Sequence, residues 1–368
     1  MSNFARYKPI FHMNAEPVLS IENARPALLG LSPAEIAGRL ADAPFPAYRA
    51  KQVAQWIYGK RADSFDAMSN LGRADREWLN QRFCLGNLPP AEERVSADGT
   101  RKYLFDVSGT GEQPAYVECV YIPDGDRATL CVSSQSGCRM NCGFCATGGQ
   151  GFNRSLTATQ ILNQFYSLPF ADDISSFVFM GMGEPFDNTD EVLRALNRLT
   201  AADGFAFSPR RITVSTVGVI PGMKRFLDES ECHLAVSLHS PFADERAQWI
   251  PAQKAYPIAE VLEVLRHYDF RHQRRLSFEY ILFGGLNDSL RHAKALVKLL
   301  AVCAGCRVNL ILYHPVPGKP FQRPKPEQAF LFRDYLSKNG LFATLRQSRG
   351  EDIEAACGLL SQQKKGQV

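Results

Sequence analysis

Residues 136–145 read SGCRMNCGFC and place three cysteines, Cys138, Cys142 and Cys145, within one short loop. The loop directly follows an apolar run at 129–133, which is typical of a buried strand. Three thiolates this close in sequence can converge on one metal centre. This stretch indicates the fold class, because its CxxxCxxC motif follows the first strand of a long region in which predicted strands and helices alternate.

Two kinds of metal centre fit three neighbouring cysteines. A structural zinc site normally takes a fourth ligand at CxxC spacing, and the nearest other pair, Cys303 and Cys306, lies far along the chain. An iron–sulfur cluster held by only three cysteines would leave one iron open to an outside ligand. The spacing therefore favours an iron–sulfur cluster over a structural zinc protein.

Apolar runs suited to buried parallel strands alternate with helical segments from residue 129 onward. The predicted strands are 129–133, 176–180, 211–215, 233–237, 275–282 and 307–312. Six such units predict an α/β fold class with a partial (β/α)6 barrel. In a barrel the chemistry lies at the carboxyl ends of the strands, which is where the cysteine loop falls.

The chain before the barrel predicts a small helical accessory domain. Its amphipathic helical patterns cover 32–41, 48–58 and 73–83, and a hairpin of strands 100–107 and 115–122 leads into the barrel. We expect a helical region over 1–112, a barrel over 113–360 and a polar tail over 361–368.

Composition narrows the class of protein. The chain has 368 residues, of which 45% are hydrophobic and 22% charged, so it can bury a large core and is not a disordered protein. Ten cysteines are too dilute for a disulfide scaffold, and the net charge of +4 permits a nucleic-acid partner without requiring one. No run approaches the roughly 20 apolar residues of a membrane span, which predicts a cytoplasmic protein with no membrane partner.

A glycine-rich motif ends the second predicted strand. Residues 180–185 read MGMGEP, and the two glycines, Gly181 and Gly183, would let a ligand approach the backbone. Glu184 could meet an ammonium group. Alone such a strand end is more often a turn, but here it follows the cysteine triplet.

Taken in order, these motifs resemble the radical S-adenosylmethionine (SAM) superfamily, and the chain from about residue 48 to 360 resembles its RlmN/Cfr family of RNA methyltransferases. The motifs that carry the resemblance lie at 132–137, 145–148, 151–154, 181–185, 215–218, 237–239 and 349–358. An array of seven motifs in order is far more specific than the triplet alone.

The resemblance implies the cofactors and the reaction. One 4Fe–4S cluster would be held by Cys138, Cys142 and Cys145, with SAM on its open iron, and each turnover would consume two SAM molecules. An adenine ring carbon has no nucleophilic lone pair, so it cannot simply displace the SAM methyl group. In this family one SAM methylates a cysteine and a second yields a radical that takes a hydrogen from the S-methyl group, and the resulting carbon adds to adenine.

Three residues match the family's methyl-transfer group. Cys357 matches the cysteine that carries the methyl group, Cys131 matches the cysteine that releases the product through a transient disulfide with Cys357, and Glu118 matches the proton acceptor. A base is required because the substituted carbon must lose a proton to restore aromaticity. Without the family context, Cys131 would be a small core residue and Glu118 a solvated strand residue.

The expected SAM contacts include one departure from the family pattern. The contacts implied by the resemblance are Gly183, Glu184, Ser215, Ser237, Leu238 and His239. His314 stands where family members commonly have an asparagine that contacts SAM, and an imidazole changes its charge with pH. Asn309, inside the preceding strand, is a less suitable replacement. This departure allows a paralogue of the standard RlmN enzyme, with a different target adenine or RNA.

The sequence thus predicts a radical-SAM RNA methyltransferase that acts on an adenine carbon in ribosomal RNA and in transfer RNA. Carbon 2 is the first choice and carbon 8 the alternative. A rival prediction is an RNA-binding barrel that has lost methyl transfer, and the joint presence of Cys131, Cys357 and Glu118 argues against it. The partners expected are RNA and an electron donor such as flavodoxin or ferredoxin.

Basic segments that could contact RNA phosphates are scattered along the chain. They lie at 210–211, at 271–275 and in a proline-stiffened loop at 318–326, whose Phe321 could stack on a base, and the helical region at 48–52 is a further surface.

Overall fold

The computed structural model describes residues 25–109, 113–270 and 274–361. The first 24 residues and the tail after residue 361 lie outside these ranges. The basic segment predicted at 271–275 lies partly outside them, at 271–273. Within the described ranges, no helix has the length and apolar character that crossing a bilayer requires.

Three short helices form the N-terminal region: α1 (Pro33–Arg39), α2 (Tyr48–Ala54) and α3 (Arg73–Arg82). A π-helical turn, Gln55–Gly59, continues α2. The start of α1 is set by a capping box, in which Ser32 and Glu35 each bind the other's backbone N–H, at 3.1 and 2.7 Å. The sequence therefore predicts where α1 begins.

One ten-stranded sheet forms the centre of the described structure. The strands in chain order are β1 (Glu92–Val95), β2 (Arg101–Asp106), β3 (Tyr116–Asp124), β4 (Arg127–Cys131), β5 (Gln135–Gly137), β6 (Phe152–Ser155), β7 (Ile174–Phe179), β8 (Ile212–Thr216), β9 (His233–Ser237), β10 (Leu276–Leu282), β11 (Arg307–Leu312) and β12 (Phe342–Arg346). The order in the large sheet is β1-β2-β3-β4-β7-β8-β9-β10-β11-β12, while β5 and β6 pair separately.

The two halves of the large sheet differ in direction. From β1 to β4 the neighbours are antiparallel, and from β4 through β7 to β12 they are parallel. The longer connections between strands carry the helices α4 (Ala146–Gly149), α5 (Ala158–Tyr166), α6 (Thr189–Thr200), α7 (Ile220–Glu229), α8 (Ala243–Trp249), α9 (Ile258–Leu265), α10 (Leu290–Leu300) and α11 (Pro326–Lys338). This topology confirms the predicted α/β class, a partial barrel with a helical N-terminal region.

All six predicted parallel strands are present, and the structure adds strands at both edges of the sheet. The edge strand β1 has the sequence EERV, and the other edge strand, β12, begins with an exposed Phe342 and ends with Arg346. Edge strands carry charged residues because only one side of each is paired and covered. Their weak apolar patterns explain why the sequence did not reveal them.

The N-terminal helices share one hydrophobic core with the barrel. The ring of Phe205 packs edge-on against Tyr58 of the N-terminal region and against Phe165 of α5, with centroids 5.1 and 5.2 Å apart. In addition, β2 and β3 pair across the predicted boundary at residue 112. The accessory region is thus packed onto the barrel, and the division into domains stays a prediction.

Candidate functional site

A cavity at the carboxyl ends of the parallel strands, which we call the strand-tip cavity, brings the cysteine triplet and the strand ends together. Cys138, Cys142 and Cys145 form one wall. The facing wall includes Met180, Gly181, Gly183, Glu184, Ser215, Thr216, Val217, Ser237, His239 and Glu279. Residues from four neighbouring strands, β7 to β10, and the segments that follow them therefore surround the space next to the three thiols, as barrel chemistry requires.

Backbone contacts hold the cysteine loop in place. The N–H of Cys138 donates to the carbonyl of Gly151 at 2.9 Å, and the N–H of Gly143 donates to that of Trp249 at 2.7 Å. A Cβ at Gly148 would lie 2.9 Å from the Cys142 backbone nitrogen, so only glycine fits where α4 closes on the loop. The loop is thus preformed by its own fold.

The three thiols suit a cationic cluster. Burial and the neighbouring cysteines raise the pKa of Cys142, and burial raises that of Cys138 to about 12. A positively charged iron centre would reverse this preference for the protonated form. Among the described side chains, no group of three or more His, Cys, Asp and Glu is arranged to hold a single ion. The three cysteines share one wall of the strand-tip cavity, where thiolates could each ligate a different iron of a cluster.

Glu184 is buried at the centre of the strand-tip cavity. Its carboxylate accepts hydrogen bonds from the N–H groups of Val217 at 2.9 Å and Phe186 at 3.1 Å, and burial raises its pKa to about 7. Gly183 has a φ of +98°, and a Cβ there would lie 2.6 Å from Gln135. The glycine is therefore needed for packing as well as for the ligand approach that the sequence suggested.

His239 is a neutral hydrogen-bond donor on the cavity wall. Its Nδ1 accepts from the Ile281 N–H at 3.0 Å, which leaves Nε2–H as the donor, and burial lowers its pKa to about 3. Its backbone φ of +57° is in the left-handed region, a strain that tends to occur at functional sites. Ser215 and Ser237 also line the cavity, whereas Leu238 is fully buried in the core.

Arg246 on α8 is a buried residue of this site that sequence reasoning missed. Its guanidinium donates to the carbonyls of Val217 at 2.6 Å, Ser237 at 3.0 Å and Leu238 at 3.2 Å. It is 0% exposed, and it places a positive charge near Cys142. It therefore ties the ends of β8 and β9 together. In the sequence Arg246 is one more charged residue in a helical stretch that includes Asp244, and nothing in that pattern indicates that it is buried.

A second cavity, the cysteine-pair cavity, adjoins the first. Its wall includes Cys131, at the end of β4, and Cys357, together with Met180, Ile311 and Leu360, and the last four also line the strand-tip cavity. Cys357 is exposed, although surrounding protein raises its pKa to about 11. The structure thus places Cys357 between the cysteine triplet and Cys131.

Glu118 lies apart from both large cavities. It lines a small pocket, the Glu118 pocket, with Glu92, Arg94, Lys102 and Glu354. Lys102 Nζ contacts Glu118 Oε1 at 3.0 Å, and the Ser361 N–H donates to Oε2 at 2.8 Å. Both carboxylate oxygens are therefore engaged by the protein.

His314 is likewise outside the wall of the strand-tip cavity. Its ring bonds to Ser348 and lies 3.5 Å from the Glu351 carboxylate, so it supports the loop before Cys357. Asn309 instead donates to Glu279 Oε1 at 2.7 Å, and Glu279 lines the cavity. In the described chain the second oxygen of Glu279, Oε2, is buried with no hydrogen-bond partner, which marks Glu279 as a polar group the sequence analysis did not single out.

The predicted RNA-contacting segments lie in different places. Arg210 and Arg211 fall at the amino end of β8, away from the cavities. Phe321 packs on Phe283 at 4.7 Å and belongs to an aromatic cluster over the cysteine loop, while Lys319 approaches Gly149 in α4. The proline-rich basic loop therefore covers the cysteine loop.

Comparison with known proteins identifies two matched regions. Residues 132–298 match the Radical SAM superfamily, and residues 27–85 match the ribosomal RNA large subunit methyltransferase N-terminal domain. The superfamily match confirms the expected 4Fe–4S cluster and SAM as cofactors. It also confirms that the barrel belongs to a radical-SAM enzyme.

Whole-length relatives agree. A probable dual-specificity RNA methyltransferase RlmN of Bacteroides fragilis is 54% identical over 338 residues, which cover 92% of this chain and 97% of that protein. The dual-specificity RNA methyltransferase RlmN of a Bradyrhizobium species is 43% identical, with 92% and 88% covered. A crystal structure of a radical SAM methyltransferase from Sphaerobacter thermophilus has a TM-score of 0.85 and 40% identity, and covers 92% of this chain and 100% of that chain.

Proposed function

Because the chain belongs to the RlmN family of radical-SAM methyltransferases, we propose that it methylates carbon 2 of an adenine in ribosomal RNA and in transfer RNA, with Cys357 as the methyl carrier. The relatives are named dual-specificity RNA methyltransferases, which supports two classes of RNA substrate. An enzyme with these substrates would act in the cytoplasm. The carbon and the residues come from matching this chain to the family's motifs.

The position of Cys357 carries this proposal. A methyl carrier must meet the methyl donor on one side and the acceptor on the other. Cys357 lines both large cavities, one with Cys138, Cys142 and Cys145 and the other with Cys131. The other residues that line both cavities, Met180, Ile311 and Leu360, have apolar side chains, so Cys357 is the residue at this junction that can act as a nucleophile.

The strand-tip cavity would hold the cofactors. Cys138, Cys142 and Cys145 would ligate the cluster, Glu184 would accept the ammonium group of SAM, and Ser215, Ser237 and the Nε2–H of His239 would bind its hydroxyl and carboxylate groups. When bound, the cluster and SAM supply the electron, the methyl group and the radical that the reaction needs. Gly183 lets the backbone approach, while Leu238 acts through its carbonyl bond to Arg246.

The cysteine-pair cavity would receive the adenine. Its walls include the apolar side chains of Ile122, Val178 and Met180, which suit an extruded base, and Arg346 and Arg349 could meet phosphate. A base here would lie between Cys131 and Cys357.

The residues of the chain then divide the chemistry. Cys357 receives a methyl group on sulfur and, after one hydrogen is removed, its S-methylene carbon bonds to the adenine carbon. This adduct would return one electron to the cluster held by Cys138, Cys142 and Cys145, which was oxidised when SAM was cleaved, and Glu118 would accept the proton of that ring carbon. The Cys131 sulfur attacks the Cys357 sulfur, so an S–S bond forms as the sulfur–carbon bond breaks, and the released carbon takes a proton to become the methyl group. A thiol reductant returns both cysteines to thiols.

Lys319 and the loop around it lie over the cysteine loop, and this basic surface suits an acidic electron donor such as flavodoxin or ferredoxin. The described structure holds all ten cysteines as thiols, which is the form that begins the cycle.

The test is anaerobic. Protein reconstituted with iron and sulfide receives SAM, a reductant and total RNA, and nucleosides are analysed by mass spectrometry for wild type, Cys357→Ala and the control Cys232→Ala, a core cysteine. We expect 2-methyladenosine from wild type and the control only. Detection of 8-methyladenosine would move the reaction to carbon 8. Cleavage of SAM with no methylated adenosine would contradict the substrate and favour a barrel without methyl transfer.

A further inference from the structure

A buried ion pair fastens the segment that carries Cys357. Lys102 on β2 and Glu118 on β3 are both about 95% buried, and their side chains meet at 3.0 Å. Lys102 Nζ also contacts the carbonyl of Glu354 at 3.3 Å, while Glu118 Oε2 accepts from the Ser361 N–H at 2.8 Å. The pair thus binds both ends of residues 354–361, which we call the carrier segment.

The other side of the carrier segment is fixed to the cysteine loop. The Ala146 N–H donates to the Gly358 carbonyl at 2.8 Å, and the Thr147 hydroxyl donates to the Leu360 carbonyl at 2.8 Å. Leu360 lines both large cavities. In this arrangement Cys357 lines the cavity of the cysteine triplet, while Glu118 is bound by the Ser361 end of the segment and lies outside both large cavities. Loading of Cys357 and proton acceptance by Glu118 therefore need different positions of the segment.

We propose that Lys102 is a positioning residue that, with Glu118, latches the carrier segment closed while Cys357 is methylated, and that the segment must leave Glu118 before this carboxylate can accept the adenine proton. This inference rests on the proposed function, because it concerns the order of the two half-reactions at the same site. It makes methyl loading and RNA methylation mutually exclusive in time.

The charges around Glu118 support this order. The pocket presents Lys102 from β2, the mutually paired Glu92 and Arg94 from β1, and Glu354 and the Ser361 N–H from the carrier segment. Burial is the largest influence and raises the pKa of Glu118, whereas Lys102, the Ser361 N–H and Arg94 oppose it. Departure of Ser361 would remove one bond that favours the carboxylate. The opening would also relieve the burial that raises the pKa of Glu118, so in both positions of the segment Lys102 favours the carboxylate form, which can accept a proton.

The first test separates the half-reactions. Full-length reconstituted protein is methylated at Cys357, checked by peptide mass, and RNA methylation is then followed in a single turnover from pH 5 to 9. Lys102→Met removes the strongest of the groups that oppose burial, so the carboxylate form of Glu118 is reached only at higher pH. We expect Cys357 methylation to slow by roughly tenfold, because the carrier segment is no longer held closed, and the acidic midpoint of RNA methylation by the premethylated protein to rise by roughly one to three pH units. Lys102→Arg keeps the charge and should restore the wild-type midpoint.

Arg101→Met is the matched control, because Arg101 is the neighbouring cation on β2 and pairs with Glu93. It should leave the midpoint unchanged. An unshifted midpoint in Lys102→Met, or an equal loss in Lys102→Met and Lys102→Arg at every pH, would overturn the positioning role.

The second test needs neither cluster nor RNA. Hydrogen–deuterium exchange of the full-length protein should be at least tenfold faster over 354–361 in Lys102→Met, and unchanged in Arg101→Met. If Lys102→Met does not fold, Glu118→Gln must show the same acceleration. Unchanged exchange would contradict the latch. If wild type forms no S-methylcysteine at Cys357, the proposed function fails, and the exchange result still decides the latch independently.

Discussion

The strand-tip cavity and the Glu118 pocket both contain buried carboxylates, but the two regions differ in how many polar atoms the protein leaves free to bind a ligand. In the strand-tip cavity three thiols share a wall, and Glu279 Oε2 has no hydrogen-bond partner among the described residues and only a 4.0 Å contact with Arg346. In the Glu118 pocket both carboxylate oxygens are already bound, by Lys102 and the Ser361 N–H. The first region is built to receive ligands, and the second is closed by the chain itself. Under the proposed function, this closed arrangement corresponds to the state in which the Cys357 thiol would receive its methyl group.

The largest effect should come from a single cysteine of the triplet. Cys142→Ala removes one of the three proposed cluster ligands, so reconstituted protein should lose its cluster absorbance and most of its iron, and RNA methylation should fall to background. The Glu118 pocket should stay intact, with unchanged hydrogen exchange over 354–361. Cys303→Ala, a buried cysteine outside the cavities, serves as control. Full iron content in Cys142→Ala would contradict the assignment of the strand-tip cavity as the cluster site.

The second-largest effect is expected for Arg246→Met, on the stability of the fold. It leaves the carbonyls of Val217 and Ser237 without their buried donor, which should lower the free energy of unfolding by about 3 kcal/mol. Urea denaturation of the cluster-free protein measures this. The exposed Arg266, which pairs with Glu263 on α9, provides the control, and Arg266→Met should unfold at the wild-type urea concentration. Equal midpoints for Arg246→Met and wild type would mean that this guanidinium does not tie the strand ends.

Two buried glutamates, one in each region, sharpen the comparison. Glu184 has an ordinary pKa of 4.5 and a folded value of about 7, so folding favours its protonated form. The stability it contributes is full below pH 4.5 and is lost as the pH rises through 7. The cluster-free protein should therefore melt at lower temperature at pH 8 than at pH 6.

In Glu184→Gln this part of the pH dependence should disappear. Glu118→Gln should change the slope less, because Lys102 opposes the effect of burial at that site. Thermal melts of the three proteins between pH 5 and 8 make the comparison. A larger change in slope for Glu118→Gln than for Glu184→Gln would contradict this account, in which a neighbouring cation, Lys102, opposes the effect of burial in the Glu118 pocket.

The smallest effect is expected for His314→Asn. Since the ring of His314 contacts Ser348 and Glu351 and not the cavity, SAM affinity of the reconstituted enzyme should change by less than twofold. Equilibrium dialysis with labelled SAM is a suitable measurement. A tenfold change in affinity would show that this residue contacts SAM as the sequence resemblance implied.

The sequence predicted those features that are local. The cysteine triplet and the glycine-rich motif that ends in Glu184 are short continuous motifs, and buried parallel strands are continuous apolar runs. The edge strands escaped because their exposed sides carry charge, as the sequence EERV shows. Arg246 escaped because its partners are backbone carbonyls from remote strand ends, which no side-chain pattern encodes.

The role of Glu118 and its surroundings show a different limit. Its resemblance to the family's proton acceptor could be read from the sequence, but its enclosure depends on Lys102 and on a segment more than two hundred residues away. Such contacts arise only from the folded chain. The same reason explains why His314 lies away from the cavity despite its motif position.

The most direct test of the central claim is to remove the residue that would release the product. Without the Cys131 sulfur, the bond between Cys357 and adenine cannot be broken, so Cys131→Ala should accumulate a covalent protein–RNA complex. Denaturing gels after reaction with RNA and SAM would detect it, and peptide mass spectrometry should place the adenine on Cys357. Free methylated RNA at the wild-type rate and no complex would contradict a methyl carrier that passes between the two cavities.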